Sequence, residues 1–342
     1  MVWLLNRSVR VACCPYPAHV ANDSSSRPRD PSPASIRRMG IAGAIFLILV
    51  ILGTLVSLPW TFGHQEIDGQ LSTSRRFERT NPTQVLQPPS WAGGTSDHIL
   101  GSDHLGRDML ARVLAGGGIS LVVGLAAAAT AVFLGGLWGM IAASAPRRID
   151  GLMMRIVDVL YGLPYILIVV LLVVAVEGLL DRLGMTIGSS AAQWVNVLTL
   201  WLAIGAVSWL TMARVIRGQV LSLRARPFME ACRAMGVPWR RQVWKHLLPN
   251  VLGPIVVYAT LTVPMAMLSE AFLSFLGIGI REPLPSWGNL AAAGLSEING
   301  VYSHWWLLVW PCLMIALTLL SLNCLGEWLR VRFDPRQAEM AS

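Results

Sequence analysis

The stretch EACRAMGVPWRRQVWKHLLPN, residues 230–250, interrupts an otherwise apolar half of the chain with four basic residues. Pro227, just upstream, suits the first turn of a helix. Phe228, Met229, Ala231, Cys232 and Met235 then give a small apolar face beside Glu230 and Arg233. Gly236 can stop that helix and allow a sharp turn. Val237-Pro238-Trp239 restarts the chain, a second amphipathic stretch runs to His246, and Pro249-Asn250 leads into the next apolar run. The pattern predicts a helix–turn–helix outside the membrane, small enough at its tip for another protein's cleft to close around it. An interfacial helix holding anionic lipid through Arg240, Arg241 and Lys245 would account for the charge. It would not account for Glu-Ala-small, three residues, then Gly.

The rest of the chain decides what lies around that loop. Only 13% of the 342 residues are charged and 54% are hydrophobic, where a soluble domain averages about 25% charged. This is the composition of an integral membrane protein. The formal net charge of +8 is then loop charge that sets topology rather than a nucleic-acid footprint. Of the 27 basic residues only Lys245 is lysine, and it sits in VWKHL with no glycine-rich loop before it. A P-loop needs such a lysine on the nucleotide phosphates, so energy for pumping must come from a partner or an ion gradient. The five cysteines, Cys13, Cys14, Cys232, Cys312 and Cys324, have no zinc spacing and suggest no disulfide framework.

Six apolar runs approach the ~20 residues that cross a bilayer: about 40–60, 119–143, 157–176, 194–213, 251–276 and 305–326. With both ends cytoplasmic, 20 of the 27 Arg and Lys fall inside and 7 outside, as the positive-inside rule requires. The fold class expected is an all-α polytopic membrane protein with six transmembrane helices and cytoplasmic N- and C-termini. Residues 1–38 read as a disordered cytoplasmic tail, rich in Ser, Pro and Arg, and Met39 after it offers an alternative start. Residues 39–60 are the first span and 61–118 an outer loop; 119–328 are a five-helix core including the cytoplasmic loop 214–250, and 329–342 a C-terminal tail. In the outer loop Met109, Leu110, Val113 and Leu114 share one helical face, with Asp108 and Arg112 off it. That predicts a short amphipathic helix at the outer interface, broken by Gly116-Gly117-Gly118 before the second span.

Several side chains invite chemistry. Asp97, His98, Asp103, His104 and Asp108 are of metal-ligand type, but Asp103 could equally cap a helix and Arg107 pair with an acid; no metal site is expected. Glu270 lies in the fifth run, where an acid is a functional candidate by default; an interfacial or structural role is the favoured reading. Trp287 could be a membrane-level anchor or could pack beneath its loop. No Ser-His-Asp order, His-Glu-x-x-His or pair of poised acids occurs, so no catalytic residue and no cofactor is assigned.

Glu230-Ala231-Cys232-x3-Gly236, followed by His246-Leu247-Leu248-Pro249-Asn250, resembles the EAA loop of ABC importer permeases, with Cys232 at the second Ala. GSDHLGRDMLARVLAGGGISL at 101–121 resembles the outer entry motif of the second (C-type) permease of dipeptide, oligopeptide and nickel importers, Ser102 standing where Thr is common. SEAFLSFLGIGIREPLPSWGNL at 269–290 and LNCLGEWLRVRFDPR at 322–336 are similar to two further signatures of that subfamily. The resemblance implies a type I ABC importer permease fold in a bacterial inner membrane. The implied partners are a homologous permease, two cytoplasmic ATPases that hydrolyse the ATP, and an extracytoplasmic substrate-binding protein. It implies that Phe228, Glu230, Ala231, Cys232, Arg233, Met235 and Gly236 couple to an ATPase. It also makes Asp103, Gly106, Arg107 and Asp108 an outer-face motif, and the outer amphipathic helix and the loop 281–303 the docking face for the binding protein. Peptide is the expected cargo and nickel or a metallophore the alternative. An ion-coupled transporter would need an internal repeat of broken helices, and none is visible.

Overall fold

One helix, α2 (Met109–Ser144), is the post on which the others lean. Its 36 residues form an uninterrupted helix, although Gly116-Gly117-Gly118 were expected to break it. The amphipathic helix expected ahead of the second span is simply its first turns. Glycine is a poor helix former in water, but in a bilayer a broken turn would leave backbone groups without partners. The helix therefore runs on, and Gly116 and Gly117 are buried against Ser286 and Trp287. Further along, Gly135 and Gly139 face α5 (Ser190–Arg224). A Cβ on either would lie 2.6 Å from a backbone oxygen of α5, that of Trp209 or Ala213. Four-residue spacing of glycine is what lets two membrane helices approach to backbone contact.

The computed structural model describes residues 33–67, 70–94, 96, 98–182, 190–298 and 303–333. The tail expected over 1–38 falls mostly outside these residues; Pro33 to Arg38 are helical, as the start of α1 (Pro33–Thr61). The terminal tail lies outside too beyond Phe333, where α10 (Trp306–Phe333) ends. α1 packs on α10, and α10 on α8 (Leu248–Phe275) and on α9 (Trp287–Ser296). A two-stranded antiparallel hairpin, β1 (His64–Ile67) and β2 (Gln70–Arg75), decorates the outer loop. It is a small addition to a helical membrane fold.

Among the described residues five helices are long and apolar enough to cross a membrane, or six if one bent pair counts as a single span. The sixth crossing differs from the single run expected at 157–176. α3 (Arg147–Tyr161) and α4 (Tyr165–Arg182) meet at 87° across Gly162-Leu163-Pro164. Proline cannot donate to the preceding turn and disfavours helix at the residue before it, so the chain bends there. The 18 residues of α4 extend about 27 Å, nearly the full hydrocarbon core by themselves.

Trp239–Phe275 is continuous as well. It begins as α7 (Trp239–Gln242), passes through a π-turn at Val243–Leu247 and becomes α8. Pro249 has no N–H for the carbonyl a turn earlier, and one widened turn absorbs that loss without ending the helix. Pro254 and Pro264 lie inside α8.

Candidate coupling loop and outer-face cluster

The loop that carries the polar stretch folds as α6 (Pro227–Ala234), with Pro227 in its first turn. Its end is a Schellman turn: the Gly236 N–H donates to the Arg233 carbonyl at 3.0 Å and the Val237 N–H to the Cys232 carbonyl at 3.0 Å. Gly236 makes that turn at φ +70°, a left-handed conformation that side chains disfavour, with open space where a Cβ would sit. The expected apolar face is in fact two faces. Met229 and Cys232 are buried, Met229 in a cluster with Ile216, Val220, Leu247 and Val251. Phe228, Ala231 and Met235, at helical spacing along one flank of that buried pair, are exposed, as are Glu230 and Arg233. Met235 is 72% exposed. One face anchors α6 to α5 and α8; the other is offered outward.

Arginines tie this small helix to the long ones. The Arg233 guanidinium donates to the carbonyl of Arg224, the last residue of α5. Arg224 in turn donates to the Ala143 carbonyl in the last turn of α2 and lies over the Trp239 ring at 5.1 Å. Gln242 is buried and donates to the Val237 carbonyl at 2.6 Å. Hydrogen bonds, and not only the chain, thus link α6 to the end of α5 and, through Arg224, to the end of α2.

At the opposite end the Gly-Ser-Asp-x2-Gly-Arg-Asp motif ties the segment before α2 into a tight loop. Asp103 Oδ1 accepts from the backbone N–H of Leu105 at 2.9 Å and of Arg107 at 2.8 Å. Its Oδ2 accepts from Arg107 Nε at 2.6 Å and from Arg112. Both arginines continue to Glu282 in the α8–α9 connection, at 2.8 Å from Arg107 and 3.0 Å from Arg112. Gly106 allows the loop at φ +71°, where a Cβ would fall 1.9 Å from the Asn81 carbonyl oxygen. Ser102 Oγ donates to the Gln84 carbonyl at 2.6 Å and accepts from Gln87 N–H at 2.8 Å. Asp108 caps α2, accepting from Leu110 N–H at 3.2 Å.

The motif therefore turns inward. Asp103, Gly106 and Arg107 are buried and Asp108 is partly buried, so these side chains shape the outer face rather than present themselves on it. The metal reading fares no better. Asp103 is occupied by two arginines, His104 is exposed, and His98 lies against Gln84 at 3.0 Å and Asp108 at 3.8 Å. Asp97 lies outside the described residues, and among those described no three His, Cys, Asp or Glu side chains converge.

Burial would push the Asp103 and Glu282 carboxyls up, but Arg112 and Arg107 overcome it and hold both below the usual carboxylate range. Depressed folded-state values mean that this stabilisation is present above the unfolded carboxylate range near pH 4 and is lost as pH falls through the folded values. Hydrogen exchange of residues 101–108 is expected to be flat between pH 8 and pH 5, once corrected for intrinsic rate. Below about pH 4 it should rise; a rise already at pH 6 would contradict the assignment.

Two residues are more deeply buried than their sequence alone indicates. Arg112, expected on the polar side of an interfacial helix, is 1% exposed and is the second arm of the cluster. Glu270, for which an interfacial or a structural role is the favoured reading from sequence, is fully buried. Ser274 Oγ donates to its Oε1 at 2.8 Å, and Oε2 has no hydrogen-bond partner. Of the two readings of Trp287, packing is the one observed: the ring is buried on Gly117 and Nε1 donates to the Val113 carbonyl at 3.0 Å.

Residues 131–339, which include α5, the α6 turn, α8 and α10, match the family described as binding-protein-dependent transport system inner membrane component. The chain belongs to this family. It is a multi-pass inner-membrane permease of the type I importer fold. Across 299 residues the permease is 43% identical to the oligopeptide transport system permease protein OppC of Salmonella typhimurium, covering 87% of each chain. It is 38% identical to the dipeptide transport system permease protein DppC of Bacillus subtilis, covering 87% of this chain and 82% of that one. It is 36% identical to OppC of Haemophilus influenzae, covering 87% and 85%. The outer-face motif at 101–108 lies upstream of the family match, within the longer alignment to whole relatives.

Proposed function

We propose that this permease is one of two membrane subunits of an ATP-driven importer of di- or oligopeptides. The single observation that carries the peptide reading is its similarity, over most of its length, to permeases named for oligopeptide and dipeptide transport. The partners are a homologous permease, two cytoplasmic ATPases and an external binding protein, and both termini of this chain are cytoplasmic.

In this reading the outward face of α6 seats in a groove on one ATPase. Phe228, Ala231 and Met235 supply apolar contact, and Glu230 and Arg233 pair with groove side chains. Closure of the ATPases on ATP displaces α6, and the Arg233–Arg224–Ala143 chain passes that displacement to α5 and α2. The pathway between the two permeases then switches sides. On the outer side, the Asp103–Arg107–Arg112–Glu282 cluster fixes the loop on which the binding protein docks. Trp91 and Trp305, exposed with ring centroids 5.7 Å apart, are the apolar anchors of that surface.

Uptake of labelled di- and oligopeptides, against labelled nickel, in a strain lacking the gene and in the complemented strain tests the cargo. Peptide uptake should be lost and then restored, with nickel unaffected. Loss of nickel uptake alone would overturn the peptide reading. A Phe228→Asp, Met235→Asp double variant should assemble in the membrane yet lose most peptide uptake, because two buried apolar contacts become two charges facing a closed groove. Near-normal uptake at normal protein level would remove that face from the coupling contact.

A further inference from the structure

α3 is the one long amphipathic helix that neither coupling nor docking uses. Its inward side is fully accounted for. Val157 is buried and Asp150 forms a paired hydrogen bond with Arg217 at 2.6 and 2.7 Å, while Asp158, on an exposed flank, meets Arg214 at 2.8 Å. Arg214 also lies over the Tyr161 ring at 3.9 Å. Its outward side is a stripe of Ile149, Leu152, Ile156, Val159 and Leu160, all exposed. At 100° per residue these five fall within one arc of about a hundred degrees. Arg148 and Arg155, seven residues apart and exposed, line one edge of that arc.

Two geometric facts say where the stripe lies. α3 is bent 87° from α4, so if α4 runs along the membrane normal, α3 lies nearly in the membrane plane. Its ion pairs are with Arg214 and Arg217, which follow directly on the apolar part of α5 and precede α6. That is the level at which hydrocarbon gives way to headgroups. The acids of α3 are both taken by α5, so no acid of α3 is left to neutralise Arg148 or Arg155.

We infer that α3 is an interfacial helix, its apolar stripe sunk in the leaflet on the α6 side and its Arg148–Arg155 edge binding the phosphates of anionic phospholipids. In the proposed orientation this is the cytoplasmic leaflet; the lipid contact itself does not depend on cargo or coupling. An amphipathic helix with basic residues flanking an apolar stripe binds such a surface through buried area and charge together. The contact holds the outer flank of α5 at a fixed depth while α6 moves beneath it.

A photoreactive p-benzoylphenylalanine at Leu152 reads the contact directly, in the whole transporter reconstituted into mixed phosphatidylcholine–phosphatidylglycerol vesicles. Mass spectrometry of the adducts should show phospholipid, with phosphatidylglycerol enriched over the vesicle composition by roughly fivefold, as expected for an arginine at the surface. In an Arg148→Gln, Arg155→Gln background the adducts should remain lipid but lose that enrichment. Adducts to the second permease or to an ATPase would make the stripe a protein interface and overturn the inference. Lipid adducts that mirror the bulk composition in the unmodified background would overturn the headgroup assignment. The unmodified background separates these outcomes even if the double variant fails to assemble.

Discussion

Gly236→Val is expected to leave the permease in the membrane at its normal level while cutting peptide uptake tenfold or more. ATP hydrolysis by the complex should persist, uncoupled from transport. The space around Gly236 is open, so the effect is conformational and not a clash. A left-handed residue with a side chain costs roughly 1–2 kcal/mol, and a β-branched one more. The chain can relieve that strain only by leaving φ +70°. It then gives up the two bonds of the Schellman turn, Gly236 to Arg233 and Val237 to Cys232. α6 would then be re-aimed relative to α7, and with it the outward Phe228–Ala231–Met235 face. Asparagine tolerates the left-handed region far better, so Gly236→Asn should keep most of the uptake. Uptake assays with immunoblots of membrane fractions measure both; equal, near-normal uptake by the two variants would contradict the turn's role.

The second large effect is expected at the outer face and should appear as instability. Asp103→Ala would leave Arg107 and Arg112 buried around a missing carboxylate, with two backbone N–H groups unpaired as well. Removing one member of a buried ion pair costs about 3–5 kcal/mol. The purified complex should melt at a clearly lower temperature and accumulate poorly. Glu282→Gln is the informative contrast. Its side chain is 46% exposed but the two arginines it faces are buried, so the melting temperature should fall, though by less than for Asp103→Ala, whose carboxylate also holds two backbone N–H groups. Similar melting temperatures for Asp103→Ala and the unaltered protein would mean that the cluster is incidental to the fold.

These two sites are legible in the sequence to different depths. The α6 loop is readable because its signals are local. A proline at a helix start and a glycine at a helix stop act within a turn of themselves, and α6 runs between them. What the pattern cannot divide is the apolar set. Met229 turns inward because Ile216, Leu247 and Val251 come to meet it, and those partners lie outside α6; Cys232 is buried beside it. The outer motif shows the same limit more sharply. Arg112 reads as a polar residue set apart from its helix face, but it pairs with Asp103 nine positions earlier and with Glu282 some 170 positions later. A fully buried arginine becomes intelligible only once that pairing exists.

The spans show where soluble-protein rules mislead. Three consecutive glycines would end most helices in water, yet α2 passes through them because a bilayer penalises an open turn more than it penalises glycine. Hydropathy also merges the end of α3 with α4, since both are apolar and only Gly162-Leu163-Pro164 separates them. The regular spacing of Ile149, Leu152, Ile156 and Val159, opposite Asp150, is a signal that could have separated them.

The central claim is that the outward face of α6 is the contact with an ATPase. A photoreactive residue at Phe228, activated in membranes that hold the intact transporter, tests it most directly. The predicted result is a single major adduct to an ATPase subunit, with an efficiency that changes when ATP is added, because closure moves the groove around the helix. Adducts confined to this chain, to the second permease or to lipid, with or without ATP, would contradict it.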